Sequence, residues 1–326
     1  MIRLSLLLSL VVGAFAGAMG ARAQSPYATR LAYTTEVEDQ FGRRTHGLYT
    51  VDIDGTNVRM LSMQPQPIAG IDWGPTAYKL AYADSWGGPL SLWTVEPNGF
   101  DLDWFTTRDI WDDSYPSWSP DGRHIAIMSN RAGNDEIHIV QAAELDADRV
   151  EFAATNDPVN ITHTPVDERW PAWSPTGDLI AFVSDRSGTL QIHVMGTDGS
   201  NVRQLTRARD FPAGITRPPM AWSPDGETLT FSARTDEHFD IYALRLLDDA
   251  TRRLTNSAGD DFSPTYSPTG GRIAFVSSRL KNRKLLPAAY IWMMDADGSN
   301  QEHAVTGVGG NVVVVDWSPP LPSASR

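Results

Sequence analysis

The sequence predicts an all-β protein, a six-bladed β-propeller whose closing blade is shared between the two ends of the chain. Three observations carry this expectation. A turn built on an aromatic residue and proline recurs every 44 to 55 residues, and each copy is followed by short apolar runs separated by turn residues. The chain ends hold complementary fractions of one further copy.

Aligned on the aromatic residue, the copies read "DWGPTA" at Trp73, "SWSPDG" at Trp118, "AWSPTG" at Trp173, "AWSPDG" at Trp222, "TYSPTG" at Tyr266 and "DWSPP" at Trp317. The aromatic ring suits the gap between adjacent sheets, while proline, which cannot donate to a ladder, ends the strand. The Asp-Gly or Thr-Gly that follows opens a hairpin, since glycine accepts positive φ. A second strand comes next, as in "IAIM" from Ile125 and "IAFV" from Ile180 and Ile273. A third has a ring at its centre: Trp93, His138, His193, Tyr242 or Trp292. A turn such as "TDGSN" (Thr197 to Asn201) then leads to a fourth strand ending "QLT" or "RLT". Units of roughly 40 to 50 residues with four strands each have the dimensions of a propeller blade.

The chain ends fix the blade count. "NVVVVDWSPP", Asn311 to Pro320, holds only a first strand and its anchor, whereas "TRLAYTT", "HGLYTVDIDGTN" and "VRMLS" read as second, third and fourth strands without a first. Together they make a sixth blade and leave no open sheet edge.

Ahead of the repeats, Arg3, the apolar run "LSLLLSLVVGAFAGAMG" and "ARA" have the layout of a cleaved export signal. The expected organisation is a signal peptide over 1–23 cut after Ala23, the propeller over 24–320 and a tail over 321–326. The product is expected to be periplasmic or secreted, monomeric and not inserted in a membrane. Losing residues 1–23 removes Arg3 and Arg22 and no acid, so the formal charge of −13 becomes −15. Such a balance disfavours nucleic acid and anionic lipid as partners. With no cysteine in the chain there is neither a disulfide nor a lipid-attachment thiol.

The stretch "PAWSPTGDLIAFVSDRSGTLQIHVMGTDGSNVRQLT" resembles the WD40-like (PD40) repeat of the TolB propeller family, and the likeness runs from residue 27 to 320. The resemblance implies a periplasmic propeller that binds a peptidoglycan-associated lipoprotein and helps to maintain the envelope. The family carries an α/β domain before its propeller, whereas these blades begin a few residues after the expected cleavage site. The same repeat occurs in propellers attached to peptidases and in sugar lyases, so it specifies fold more than function.

Motifs of covalent or phosphate chemistry are missing from the sequence: it has no G-x-S-x-G, no P-loop, no H-E-x-x-H and no cysteine nucleophile. His138 and His193 stand where other blades place Tyr or Trp and are read as packing residues. "DIDGTN" at Asp52 and "DADGSN" at Asp295 bring carboxylates close together but lack the ligand spacing of a calcium loop, and are read as hairpins.

The remaining candidates are acids ahead of the anchors: Asp112 and Asp113, Asp167 and Glu168, and Asp260 and Asp261, with Arg169 and Arg217 nearby. They fall at equivalent places, before the innermost strands, and are expected to ring one mouth of the channel. There they would attract a basic peptide segment or a hard cation such as Ca2+, because a concave site concentrates their field. Solvated blade starts are the plainer reading. The leading function is a non-enzymatic module binding an envelope protein, with no organic cofactor. The alternative is a carbohydrate-active or glycan-binding propeller, favoured if two carboxylates oppose each other across a pocket lined by exposed rings.

Overall fold

The computed structural model describes residues 30–38, 41–85, 88–106, 110–142, 157–234, 237–279, 289–304 and 311–320. The expected signal peptide and tail lie outside these residues. Every regular element among them is a strand.

The first three strands, β1 (Arg30–Glu38), β2 (Arg44–Asp52) and β3 (Arg59–Gln64), form a sheet whose inner strand comes from the far end of the chain. Blade 2 contains β4 (Ile71–Trp73), β5 (Leu80–Asp84), β6 (Ser91–Val95) and β7 (Asp103–Trp104). Blade 3 contains β8 (Asp113–Trp118), β9 (His124–Ser129), β10 (Glu136–Gln141) and β11 (Val159–Asn160). In blade 4 the strands are β12 (Glu168–Trp173), β13 (Leu179–Ser184), β14 (Gln191–Gly196) and β15 (Arg203–Gln204). Those of blade 5 are β16 (Arg217–Trp222), β17 (Thr228–Arg234), β18 (Phe239–Arg245) and β19 (Ala250–Arg253). Blade 6 holds β20 (Asp261–Tyr266), β21 (Arg272–Ser277), β22 (Tyr290–Asp295) and β23 (Glu302–His303).

The last strand, β24 (Asn311–Trp317), runs antiparallel to β1 from Leu31↔Trp317 to Glu36↔Asn311 and completes blade 1. Six four-stranded sheets result. Consecutive inner strands pack on one another, and β24 packs on both β20 and β4, so the ring closes. This is a six-bladed β-propeller.

Local chemistry explains why each copy folds alike. The serine after the anchor accepts the N–H that opens the next strand: Ser119 Oγ from His124 at 2.9 Å, Ser174 from Leu179 at 3.1 Å, Ser223 from Thr228 at 2.9 Å and Ser267 from Arg272 at 3.0 Å. The threonine of "QLT" and "RLT" does the same inside the blade, accepting the N–H of Ile192 on Thr206 at 2.9 Å and of Ile241 on Thr255 at 3.0 Å. These hydroxyls satisfy backbone donors that the turns leave open.

The rings at the centre of the third strands lie opposite apolar residues of the second, Phe182 against His193 and Phe231 against Tyr242, with centroids 5.7 and 5.8 Å apart. Burial holds His193 neutral, with its pKa brought down to about 4, and also lowers that of His138. In the "DIDGTN" and "DADGSN" hairpins, Asp52 and Asp295 accept from Asn57 at 2.7 Å and Asn300 at 2.6 Å, so these carboxylates serve the turns themselves.

The sequence did not foretell the prolines within inner strands. Pro116, Pro171 and Pro264 sit at bulges, each preceded by a residue at positive φ: Tyr115, Trp170 and Ser263. An inner strand pairs on one side only and faces the channel with the other, so the missing N–H breaks no ladder.

Candidate functional site

A channel between the inner strands has two mouths of different chemistry. The acids singled out from the sequence stand at the mouth where the inner strands begin. Their side chains do not form the open carboxylate ring expected of them. Asp113, Glu168 and Asp261 are fully buried and ion-paired within their blades: Asp113 with Arg131 at 2.7 Å, Glu168 with Arg186 at 2.9 Å and Asp261 with Arg279 at 2.6 Å. Each arginine follows its acid by 18 residues and stands two residues after the serine that the acid faces across the ladder. A carboxylate cut off from water needs such a partner. The recurrent spacing was the overlooked signal.

Asp112, Asp167 and Asp260 are half-buried and tie blades together. They accept the N–H of Leu90 at 2.8 Å, Asp135 at 3.2 Å and Phe239 at 3.0 Å, each at or just before the third strand of the preceding blade. Asn311 does the same for Ala289 at 2.9 Å, so a formal charge is not required at this position. Arg169 spans Asp135 and Asp167 at 2.9 and 2.6 Å.

Arg217 stands in blade 5 where blades 3, 4 and 6 have the buried acid, opposite Ser232. It lies over the Phe262 ring at 3.4 Å and reaches Asp260 at 3.8 Å. Thus most acids at this mouth have a cation beside them, which cancels much of the field expected there. Among the described residues no three acidic or histidine side chains converge as a metal site.

The opposite mouth is a funnel of about 340 Å³ lined by all six anchors and their prolines. Trp73, Trp118, Trp222, Tyr266 and Trp317 are 5 to 9 % exposed, as plugs between blades must be. At four of the six anchors, the residue before the anchor accepts the N–H of the next blade's anchor through its side chain. Asp316 accepts from Trp73 at 3.0 Å, Asp72 from Trp118 at 2.6 Å, Ser117 from Trp173 at 2.9 Å and Thr265 from Trp317 at 3.2 Å. Ala172 and Ala221 occupy the other two places and have no side-chain oxygen to offer, although the Ala172 carbonyl accepts from Trp222 Nε1 at 3.0 Å.

Asp72 and Asp316 are the funnel carboxylates that the reading from sequence missed. They were in plain view as the only two anchors written "DW". Enclosure by protein and, for Asp72, the charge of Asp316 push both carboxyls above the ordinary aspartate range, Asp316 to about 6. Around the rim, Asp121, Asp178 and Asp225 are exposed, and hydroxyls of Ser119, Thr176 and Ser223 hold their pKa values low. These three carboxylates therefore stay ionised at neutral pH.

The profile of the PD40 family, the TolB β-propeller domain, matches residues 20–212 and 207–320. The chain belongs to this family. Among curated relatives, the Tol-Pal system protein TolB of Francisella tularensis subsp. holarctica is 27 % identical over 305 residues, covering 91 % of this chain. The chain spans 65 % of that relative's length. TolB from Acinetobacter baumannii superposes with a TM-score of 0.70 at 21 % identity, covering 90 % of this chain and 68 % of that one. A putative TolB from Agrobacterium tumefaciens gives 0.61 at 21 % identity, covering 85 % and 88 %. These two likenesses establish a TolB-like fold and nothing finer.

Proposed function

We propose that this TolB-like propeller is an exported, non-enzymatic interaction module of the cell envelope, and that it holds a basic segment of a protein partner at the W-S-P mouth. The observation that carries the reading is the contrast between the two ends of the channel. At one, carboxylates are paired with arginine; at the other, Asp72 and Asp316 share a funnel that no Lys, Arg or His lines among the described residues, inside a rim bearing Asp121, Asp178 and Asp225. Fixed negative charge around a concavity steers a cationic ligand toward it. The names of the relatives, Tol-Pal system proteins, support an envelope partner.

A carbohydrate-active site fits less well. It would need opposed carboxylates and exposed rings, whereas Asp72 and Asp316 are on neighbouring blades and, of the anchors, only Trp173 is even half-exposed. The test is binding to the soluble domain of the peptidoglycan-associated lipoprotein from the same source, at low and moderate salt. Replacing Asp121, Asp178 and Asp225 together by Asn should slow association and flatten the salt dependence. Unchanged kinetics at both salt concentrations would rule out this mouth.

A further inference from the structure

The funnel carboxylates are more than a source of negative field, because both belong to the ring of hydrogen bonds that locks the blades. Asp316 lies on β24, the strand that closes the propeller. It accepts from Thr265 Oγ1 of blade 6 at 3.0 Å, from Trp317 N of its own strand at 2.9 Å and from Trp73 N of blade 2 at 3.0 Å. One side chain thus joins three blades at the seam between the chain ends. Asp72 extends the clasp to blade 3 through Trp118 N.

The other positions of this ring are filled by neutral residues, Ser117, Thr265, Ala172 and Ala221. Carboxylates appear only at the two places that adjoin across the seam between β24 and β4. Among the described residues the sole further titratable group lining the funnel is the phenol of Tyr266, which burial keeps neutral with a pKa pushed up to about 12.

The charged groups on the strands packed around the pair are engaged elsewhere. On β1, Arg30 is bound to Asp52, while Glu36 meets Arg44. On β8 and β20, Asp113 and Asp261 are paired with Arg131 and Arg279 at the other mouth. On β21, Arg272 reaches Glu302 and Asp295, the last of which ends β22. Asp84 ends β5. Among the described residues no cation therefore offsets two like charges held side by side in a half-buried site.

We propose that Asp72 and Asp316 hold one proton between them and that this proton sets how tightly the closing blade is clasped to its neighbours. With both carboxylates ionised, repulsion pries β4 from β24; with one proton bound, the clasp relaxes without losing its N–H donors. The titration belongs to the pair rather than to either residue. Its sign follows from the raised carboxyl pKa. The folded protein retains a proton that the unfolded chain releases, so stability is gained as pH falls through about 6, and the gain is complete only below the unfolded value of 3.8.

Burial shifts other groups as well: it lowers the values of His46, His138 and His193, which opposes the effect, and raises those of Asp135, Glu168 and Asp240, which adds to it. The measurement is therefore a difference between proteins. Melting temperatures of the full chain, Asp316→Asn and Asp72→Asn are compared from about pH 8 to about pH 5. Each variant should match or exceed the parent at the alkaline end and lose that advantage on acidification. Asp72→Ser and Asp316→Thr, which copy the residues that blades 3 and 6 use at this position, should behave alike. A difference that does not vary with pH would overturn the proposal. Carboxyl-carbon NMR titration of the unaltered protein tests it without any variant: a coupled aspartate pair should hold one proton near pH 6, and finding both ionised there would also overturn it.

Discussion

Replacing Arg131 by Met should unfold blade 3 well before it affects any partner. The side chain of Asp113 is 1 % exposed, and Arg131 holds both of its oxygens, Nε at 3.2 Å and Nη2 at 2.7 Å. Methionine keeps most of the aliphatic stem and removes the charge, so the loss isolates the ion pair. Breaking a buried pair from one side costs roughly 3 to 5 kcal/mol, because the remaining carboxylate is neither solvated nor matched. At about 2 to 4 °C per kcal/mol for a domain of this order of size, the melting temperature should fall by about 6 to 20 °C. Added salt should change little, since an enclosed pair is poorly screened. The double variant Asp113→Asn with Arg131→Met should recover most of the loss, as no charge is left stranded. Thermal unfolding followed by tryptophan fluorescence measures all three proteins. If Arg131→Met alone stays within about 1 kcal/mol of the parent, the pair behaves as a surface ion pair. Asp113 would then have to be returned to the channel mouth as a solvated, binding-competent acid.

Three further outcomes follow from the packing. Trp118→Ala should cost roughly 3 to 5 kcal/mol through lost burial and a cavity between blades 2 and 3, measured by urea unfolding; a stable variant deficient only in partner binding would contradict the plug role. Ala172→Ser supplies the oxygen missing from the ring beneath Trp222 and should raise stability by about 0.5 to 1.5 kcal/mol, a gain checked by calorimetry. Deleting residues 311–326 strips β24 from β1, re-exposes an edge that runs from Leu31 to Glu36 and should yield an aggregating chain in light scattering.

The repeat, its strand order and the closure of the ring could be read from the sequence because they rest on local rules. An aromatic anchor, a proline that ends a strand and an Asp-Gly turn state the same hairpin wherever they occur, and two incomplete copies can complete only each other. Trp118, Trp173 and Trp222 could be called plugs on this basis, although Trp173 is left half-exposed, and His193 a packing residue. What each polar side chain meets was decided by tertiary structure. Asp113, Glu168 and Asp261 read as a charged ring because their register in the repeat is visible, but the partner that removes each charge lies across a hairpin. The position 18 residues along acquires meaning only once β8 lies beside β9. Asp72 and Asp316 are 244 positions apart in the sequence and become neighbours only when β24 returns to β4. Sequence thus determined which surfaces could be buried, through periodicity and turn chemistry. Which carboxylates are neutralised and which are left to repel one another depended on distances of a few ångströms, and these are set only when the ring closes.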